Sequence, residues 1–279
     1  MQNISTTLSL NYNKKNKFQE TIWSYYQLYG RSFLWRELHD PYYIVVSEIM
    51  LQQTQTQRVI NKFEQFIGAF GTFKDLADAP LRDVLGVWQG LGYSRRAIAL
   101  QKIAQKITYD FNGIVPNDPE ILVTFPGIGP ATASSICAFA FNRPTVFVET
   151  NIRAVYIHFF FPGQDKVHDK ELMPLIEQTL ARDNSRAWYY ALMDYGVMLK
   201  KQFKNPSRKS IHHAKQSRFE GSDRQIRGMI LRILTDIKHI TYQELCTKID
   251  RDTVRIKKAL DQLCDEGFIV NKYEQFFIA

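Results

Sequence analysis

The chain has 279 residues, a length that suits a two-lobed body with a small appended unit and excludes a string of large domains. Apolar residues make up 45% of the sequence, enough for a sizeable core, so a disordered chain is excluded as well. The net charge of +8 favours a polyanionic partner, because lysine and arginine side chains release counterions from nucleic-acid phosphates.

No stretch approaches the roughly 18 consecutive apolar residues of a membrane span, and the N-terminus lacks the apolar core of a signal peptide. We therefore expect a cytoplasmic protein, located with the chromosome, that has no membrane partner. The cysteines Cys137, Cys246 and Cys264 are odd in number and far apart, which predicts reduced thiols rather than disulfides or a metal site.

The body of the chain has the periodicity of amphipathic helices. Apolar residues at spacings of three and four form two stripes, which are Val59, Phe63, Phe66, Phe70 and Ala97, Leu100, Ala104, Ile107. The second stripe lies in the run from Arg95 to Ile107. Glycine and proline residues divide such runs, so the sequence predicts an all-α body of short helices.

A glycine-rich hairpin, Pro126-Gly127-Ile128-Gly129-Pro130, lies between two apolar helical runs. Glycines at both positions would let the backbone turn tightly and bring its N–H groups to a phosphate. The dipole of the following helix would also favour an anion there. Taken alone, the pattern is that of a simple turn, and a phosphate-binding role depends on the blocks around it.

A basic segment follows the body. Between Lys200 and Arg218 there is no acidic residue, and the basic residues are Lys200, Lys201, Lys204, Arg208, Lys209, Lys215 and Arg218. Such a run is either a solvated linker or a phosphate-binding segment, and both interpretations stay open at this point.

The pattern changes after Gly221. Helices are predicted around Ile226–Ile237, Tyr242–Ile249 and Thr253–Cys264, followed by extended runs at Phe268–Val270 and Gln275–Ile278. Thr241 and Glu244 form a capping box, and Asp252 is a plausible N-cap. This order is that of a winged helix-turn-helix, which favours DNA binding. Ten basic and nine acidic residues leave the unit nearly neutral, so its charge does not require DNA binding.

Several blocks occur in one order: WRELHDPYYIVVSEIMLQQTQTQRVINKFEQF, VWQGLGYSRRAIAL, the hairpin, and VETNIRAV. From about residue 20 to residue 200 this series resembles the MutY-type adenine glycosylases and their relatives of the endonuclease III family. The resemblance implies a two-lobed helix-hairpin-helix glycosylase fold with a small C-terminal winged-helix-like domain. The expected parts are a helical lobe of residues 1–44 and 145–199, a barrel lobe of 45–144 with the hairpin, a basic linker of 200–221, and a winged-helix-like domain of 222–279.

The resemblance implies two catalytic carboxylates. Glu48 matches the acid that protonates the departing base, and such a carboxyl works best when burial raises its pKa. The apolar neighbours Val45, Val46, Ile49, Met50 and Leu51 would supply that setting. Glu149 stands where relatives carry aspartate and would stabilise the cationic sugar. The start of a helix near Asn151 would keep this carboxylate ionised.

The resemblance also implies which residues contact DNA. Gln53 and Tyr93 match side chains that wedge into the base stack around a lesion, and Gln52 and Thr54 belong to the same block as Gln53. Gly127, Gly129 and Asn151 are expected at the DNA or the substrate, and Arg36 and Asp194 align with pocket or supporting positions. Bifunctional relatives carry a lysine nucleophile at the position of Ala131, so strand cleavage is not expected. Ala131 also removes a contact to the base.

Most relatives end this body with four cysteines spaced C-x6-C-x2-C-x5-C that hold an iron–sulfur cluster. That register starts at Lys200 and gives Lys200, Ser207, Ser210 and Gln216, none of them a cysteine. We therefore expect no cluster, with Lys200, Lys204 and Lys209 contacting phosphates instead. A structural monovalent cation at the hairpin remains open.

Together the resemblance implies a monomeric, monofunctional DNA glycosylase of base excision repair. Its expected substrate is adenine paired with 8-oxoguanine or guanine in double-stranded DNA. One alternative is a glycosylase for thymine or uracil mispaired with guanine. The other is a non-catalytic DNA-binding protein on the same fold, although such a protein would need neither carboxylate.

Overall fold

The computed structural model describes residues 10–214 and 218–279. The α-helices in these ranges are α1 (Tyr12–Tyr29), α2 (Leu34–Glu37), α3 (Pro41–Leu51), α4 (Thr56–Ala69), α5 (Phe73–Asp78), α6 (Leu81–Trp88), α7 (Arg95–Asp110), α8 (Pro119–Leu122), α9 (Pro130–Phe141), α10 (Thr150–Phe160), α11 (Asp169–Thr179), α12 (Ser185–Gln202), α13 (Asp223–Asp236), α14 (Tyr242–Lys248) and α15 (Thr253–Asp265). Short 3-10 helices lie at Arg182–Asn184 and Pro206–Lys209. The all-α fold class is thus confirmed.

The described chain divides into two compact units. The first unit contains residues 10–44, 117–123 and 128–214, and the second contains 45–116, 124–127 and 218–279. None of the helices in these ranges combines the length and apolarity that crossing a membrane requires.

Aromatic side chains form much of the core of the first unit, where α1 and α10 both pack on α12. The ring of Phe18 on α1 lies 5.3 Å from that of Tyr156 on α10 and 6.0 Å from that of Trp188 on α12, measured between centroids. The rings meet at tilted or edge-on angles, the geometry that aromatic quadrupoles favour. Each such side chain contributes roughly 1.5–3 kcal/mol by leaving water.

In the second unit the predicted stripes of α4 and α7 are buried. Val59, Phe63 and Phe66 have no solvent exposure, and neither do Ala97, Leu100, Ala104 and Ile107. The periodicity of these residues therefore predicted correctly which face of each helix lies in the core.

The C-terminal segment, residues 222–279, contains α13, α14, α15 and an antiparallel sheet of β1 (Ile240–Thr241), β2 (Ile269–Lys272) and β3 (Gln275–Ile278), in the order β1-β3-β2. The Thr241–Glu244 capping box and the Asp252 N-cap are both present, as predicted. This is the element order of a winged helix-turn-helix.

Strand β2 begins one residue later than predicted, and β1 was not predicted. Phe268 donates its N–H to Leu263 O at 2.9 Å, as Gly267, with φ of +75°, ends α15 in a left-handed turn. The N–H of Phe268 is therefore not available for the sheet. Strand β1 exists through pairing with β3, which is remote in sequence and leaves no local signal.

Candidate active site

Glu48 lies in the second half of α3, in the second unit. Its neighbours Val45, Val46, Ile49 and Met50 are all without solvent exposure, whereas Glu48 is half-buried. Leu51, the last residue of the helix, is also half-buried. The structure therefore places a carboxyl group at the edge of an apolar helix, where low local polarity strengthens electrostatic interactions.

The end of α3 is fixed by a buried arginine. Nη1 of Arg96 donates to the backbone oxygens of Ile49, Met50 and Gln52 at 3.0, 2.8 and 2.6 Å. Its Nη2 donates to Thr54 Oγ1 at 2.9 Å and to Gly92 O at 3.0 Å. Arg96 thus joins the helix that carries Glu48 to both turns that carry the predicted wedge residues.

Burial lowers the pKa of Arg96 to about 10, which leaves the guanidinium charged at neutral pH. Arg96 was not among the site residues predicted from the sequence. Its only sequence signal is its position inside the VWQGLGYSRRAIAL block.

The turn after α3 presents Gln53 to solvent. Gln53 is exposed and has φ of +52°, a left-handed conformation that side chains other than glycine rarely adopt. Gln52, before it, donates from Nε2 to Gly127 O at 3.1 Å, and Thr54 caps the turn through its N–H to Leu51 O at 3.2 Å. The predicted wedge residue is therefore held by its two neighbours.

Tyr93 occupies a second strained turn. Its φ is +50°, it follows Gly92 with φ of +72°, and 37% of the residue is exposed. Its ring lies 5.5 Å from the Arg96 guanidinium carbon, within the range of a cation–π contact. Both predicted wedge residues are thus exposed, and Arg96 contacts the ring of Tyr93 and the two neighbours of Gln53.

The predicted hairpin runs from Pro126 to Pro130, where α9 begins. Two features favour glycine at position 127: its φ is +76°, and an added Cβ would lie 3.0 Å from the Ala99 Cβ. Gly129 has φ of −89°, which any residue adopts, so its glycine is not needed for the turn. Gly129, Pro130 and Ala131 are exposed at the first turn of α9 and leave its N-terminal face accessible to an anion.

Glu149 is the N-cap of α10, in the first unit. Its Oε1 accepts from Asn151 N at 2.8 Å and Ile152 N at 3.0 Å, and its Oε2 accepts from Asn151 Nδ2 at 3.2 Å. A carboxylate at a helix N-terminus is stabilised by the helix dipole. Asn151 Oδ1 is buried and accepts no hydrogen bond within the described residues. The helix begins at Thr150, next to the predicted start.

Lys200 on α12 is close enough to Glu149 for their charges to interact, which was not predicted from the sequence. Burial lowers the pKa of Lys200, while the charge of Glu149 raises it and that of Arg31 lowers it. Gly196, one turn earlier on α12, permits α12 to pack closely on α10, because an added Cβ would lie less than 3.0 Å from Asn151 O. A glycine inside a helix was the one sequence signal of this close contact.

Arg36 and Asp194 form a buried ion pair in the first unit. Arg36 donates from both terminal nitrogens to the Asp194 carboxylate at 2.9 Å, and Arg31 adds its backbone N–H and its side chain. Burial by itself raises the pKa of Asp194. The hydrogen bonds and charges of Arg36 and Arg31 outweigh burial, so the pKa of Asp194 is lowered. Arg36 also lies 4.4 Å from the Tyr190 ring centroid. Through these contacts the pair joins α2 and the residues before it to α12.

The segment in the cluster register carries no ligands for an iron–sulfur cluster in its described residues. Ser207 is buried and donates from Oγ to Asn205 Oδ1 at 2.8 Å, and Ser210 pairs with Val167 in an isolated parallel bridge. Such clusters need thiolates. Lys204 is exposed and Lys209 is half-buried, whereas Lys215 and Gln216 lie outside the described residues. Across the described ranges, no group of His, Cys, Asp or Glu side chains could hold a metal ion.

A family model described as HhH-GPD superfamily base excision DNA repair protein matches residues 46–180. The chain is 36% identical over 184 residues to the adenine DNA glycosylase of Buchnera aphidicola subsp. Baizongia pistaciae, covering 65% of this chain and 52% of that protein. It therefore spans about half the length of that relative. It is 30% identical over 280 residues to the adenine DNA glycosylase of Mycobacterium tuberculosis, covering 91% of this chain and 90% of that one.

A thymine/uracil-DNA glycosylase of Methanothermobacter thermautotrophicus is 27% identical over 191 residues, covering 67% of this chain and 86% of that protein. Among solved structures, a thermostable thymine-DNA glycosylase superposes with a TM-score of 0.61 at 24% identity, covering 70% of this chain and 91% of that one. This structural likeness supports the fold.

Proposed function

Since the chain belongs to the HhH-GPD superfamily of base excision DNA repair proteins, we propose that it is a monofunctional DNA glycosylase that removes adenine paired with 8-oxoguanine or guanine. The observation that carries the proposal is Glu48, a half-buried carboxyl among fully buried neighbours on α3. Its DNA partner is double-stranded, and the protein acts as a monomer at the chromosome.

In this proposal Glu48 donates a proton to the departing adenine. The bond between the base and C1′ of the deoxyribose then breaks with both electrons going to the base, and positive charge develops on the sugar. A neutral leaving group departs more easily than an anion, which is the contribution of a general acid. A water molecule then attacks C1′ and gives a proton to the Glu48 carboxylate, which restores the acid and leaves an abasic site.

Glu149 supplies the second requirement, a negative charge for the electron-poor sugar. The N–H groups of Asn151 and Ile152 fix one of its oxygens, so the carboxylate has a defined orientation before substrate binds. The small side chain of Ala131, at the first turn of α9, offers no amine to the sugar. The proposed reaction therefore stops at the abasic site.

We favour adenine as the substrate because relatives named adenine DNA glycosylase match this chain, and one of them is covered over 90% of its own length. Thymine or uracil opposite guanine is the second candidate, supported by the relative named for those bases.

The test is a single-turnover assay on duplexes with A·8-oxoG, A·G, T·G or U·G pairs, followed by alkali to cut abasic sites. We expect alkali-dependent cleavage of the adenine strand only, and no cleavage without alkali. Cleavage of the thymine or uracil strand would establish the second candidate. Tight binding to a mismatch with no abasic site in any duplex would identify a DNA-binding protein without this activity.

A further inference from the structure

The first turn of α13, in the C-terminal segment, contacts one of the proposed wedge residues. Arg224 Nη1 donates to Tyr93 Oη at 2.7 Å, and its guanidinium carbon lies 5.4 Å from the Tyr93 ring centroid. The Arg96 guanidinium carbon lies 5.5 Å from the same centroid. The Tyr93 ring therefore has two guanidinium groups within cation–π range, one from residues 45–116 and one from the C-terminal segment.

The rest of α13 is fixed to the same unit. Arg82 on α6 donates to Leu234 O and Thr235 O, both at 3.0 Å, at the C-terminal end of α13. Arg227, in the middle of the helix, shares the carboxylate of Glu266 with Arg95, the first residue of α7. Their hydrogen bonds and charges lower the pKa of Glu266 to about 2. Arg224 is thus part of a helix anchored along its length.

Tyr93 has few internal degrees of freedom left. Its backbone lies in the left-handed region, the preceding Gly92 O accepts from Trp88 Nε1 at 3.1 Å, and its hydroxyl is bound by Arg224. Yet 37% of the residue is exposed. A side chain that is fixed at its backbone, ring and hydroxyl but only partly buried is arranged to meet something outside the protein.

We propose that Arg224 is a positioning residue for Tyr93, and that the C-terminal segment thereby takes part in probing duplex DNA for the lesion. The inference rests on the proposed function. A wedge enters a base stack at lower cost when its orientation is already set, because no side-chain freedom is lost on binding. Arg224 also places a positive charge beside the ring, the sign that neighbouring phosphates attract.

The experiment is a double-mutant cycle in the full chain with Arg224→Ala, Tyr93→Ala and both changes together. The readout is lesion discrimination, the ratio of Kd for a matched A·T duplex to Kd for an A·8-oxoG duplex. Glu48→Gln is present throughout to prevent turnover. We expect Arg224→Ala to lower discrimination about ten-fold, the equivalent of one hydrogen bond to a charged group. In the Tyr93→Ala background it should cause no further loss.

Arg232→Ala is the matched control, since Arg232 is an exposed arginine on the same helix. It should leave discrimination unchanged while removing the same charge. Tyr93→Phe, which deletes only the hydroxyl that Arg224 binds, should give most of the loss seen with Arg224→Ala. This variant also carries the test if Arg224→Ala fails to fold.

Unchanged discrimination in Arg224→Ala and Tyr93→Phe would overturn the inference, and so would a loss that persists when Tyr93 is already alanine. Failure of the proposed function is a separate result. It would appear as a wild-type chain that releases no base from any duplex, and the binding cycle would still decide the role of Arg224.

Discussion

The two proposed catalytic carboxylates are held in different ways. Glu48 lies within a helix whose neighbouring side chains are fully buried, whereas Glu149 ends a helix and is bound by the backbone N–H groups of Asn151 and Ile152. The first setting surrounds the proposed proton donor with apolar side chains. The second fixes the orientation of the carboxylate that we propose faces the sugar.

Replacing Glu48 by glutamine should abolish base release and leave lesion binding intact, since the amide keeps the shape of the side chain but has no proton to give. We expect a single-turnover rate reduced by about a hundred- to ten-thousand-fold on the preferred duplex. A gel-shift measurement of Kd should differ little from that of the wild type. Residual activity within a few-fold of the wild type would remove Glu48 from the mechanism.

Glu149 stands where relatives carry aspartate, so its two substitutions separate charge from position. Glu149→Gln removes the charge and should lose about a hundred-fold or more in single-turnover rate. Glu149→Asp keeps the charge but shifts it by about 1 Å, and should fall between the Gln variant and the wild type.

Both variants alter a helix N-cap, so Asp252→Asn, at the N-cap of α15, controls for replacing a capping carboxylate by an amide far from the proposed chemistry, and Asp252→Ala controls for loss of the cap. An Asp variant faster than the wild type would show that glutamate is the less effective residue here. A Gln variant as fast as the wild type would exclude a catalytic role for Glu149.

Asp194 is the residue whose removal should matter most for stability. Its buried carboxylate binds Arg36 and Arg31, and these partners lower its pKa in the folded state. Asp194→Asn leaves two arginines without a counter-charge and should reduce the free energy of unfolding by about 3–5 kcal/mol.

Because the folded pKa lies below the unfolded one, the wild type should hold this stability above the ordinary aspartate pKa. The wild type should lose this stability as the pH falls through the pKa of Asp194 in the folded state. Urea denaturation at several pH values between neutral and acid should show that the free energy of unfolding of Asp194→Asn lacks this part of the pH dependence. Asp261→Asn, which breaks the exposed pair with Lys257, should change little. An equal loss in both variants would contradict the assignment.

At the scale of whole elements, sequence predicted what is local and missed what is remote. The buried stripes of α4 and α7 and the caps of α14 and α15 follow from spacing and residue type within a few positions. The hydrogen bonds from Arg96 to the end of α3 could not be predicted in this way, because the acceptors of its Nη1 are backbone oxygens 44 to 47 positions earlier. Backbone oxygens have no sequence signature.

The basic segment gives a prediction about DNA binding. Lys204 is exposed and Lys209 half-buried, so each can reach a phosphate, and replacing either by glutamine should reduce the slope of log K against log salt by about 0.9. Filter binding at several salt concentrations would measure it. Lys74→Gln is the control, because Asp78 already neutralises Lys74. Unchanged slopes would make the segment a linker that does not contact DNA.

For the molecule as a whole, the cysteine count bears on the expected cofactor. The sequence has three cysteines, one fewer than the four thiolates of a typical cluster, and they lie at positions 137, 246 and 264. We expect the purified protein to be colourless and its iron content to be far below one atom per chain, measured by metal analysis after anaerobic purification. An iron content near four atoms per chain would show that residues outside the four positions of the cysteine spacing bind a cluster.

The contacts of Arg96 and Arg224 with Tyr93 affect how fast the protein would search DNA for a lesion. A repair enzyme meets a vast excess of intact base pairs for each lesion, and it slides along DNA while testing them. A loose wedge would have to be ordered anew at every pair, at a cost of about 0.5–1.5 kcal/mol for a side chain. Here the ordering takes place once, when the chain folds, because Arg96 and Arg224 already hold the ring. On the proposed role of Tyr93 as a wedge, each intact pair would then be rejected in a shorter dwell time, and more DNA would be surveyed between two lesions.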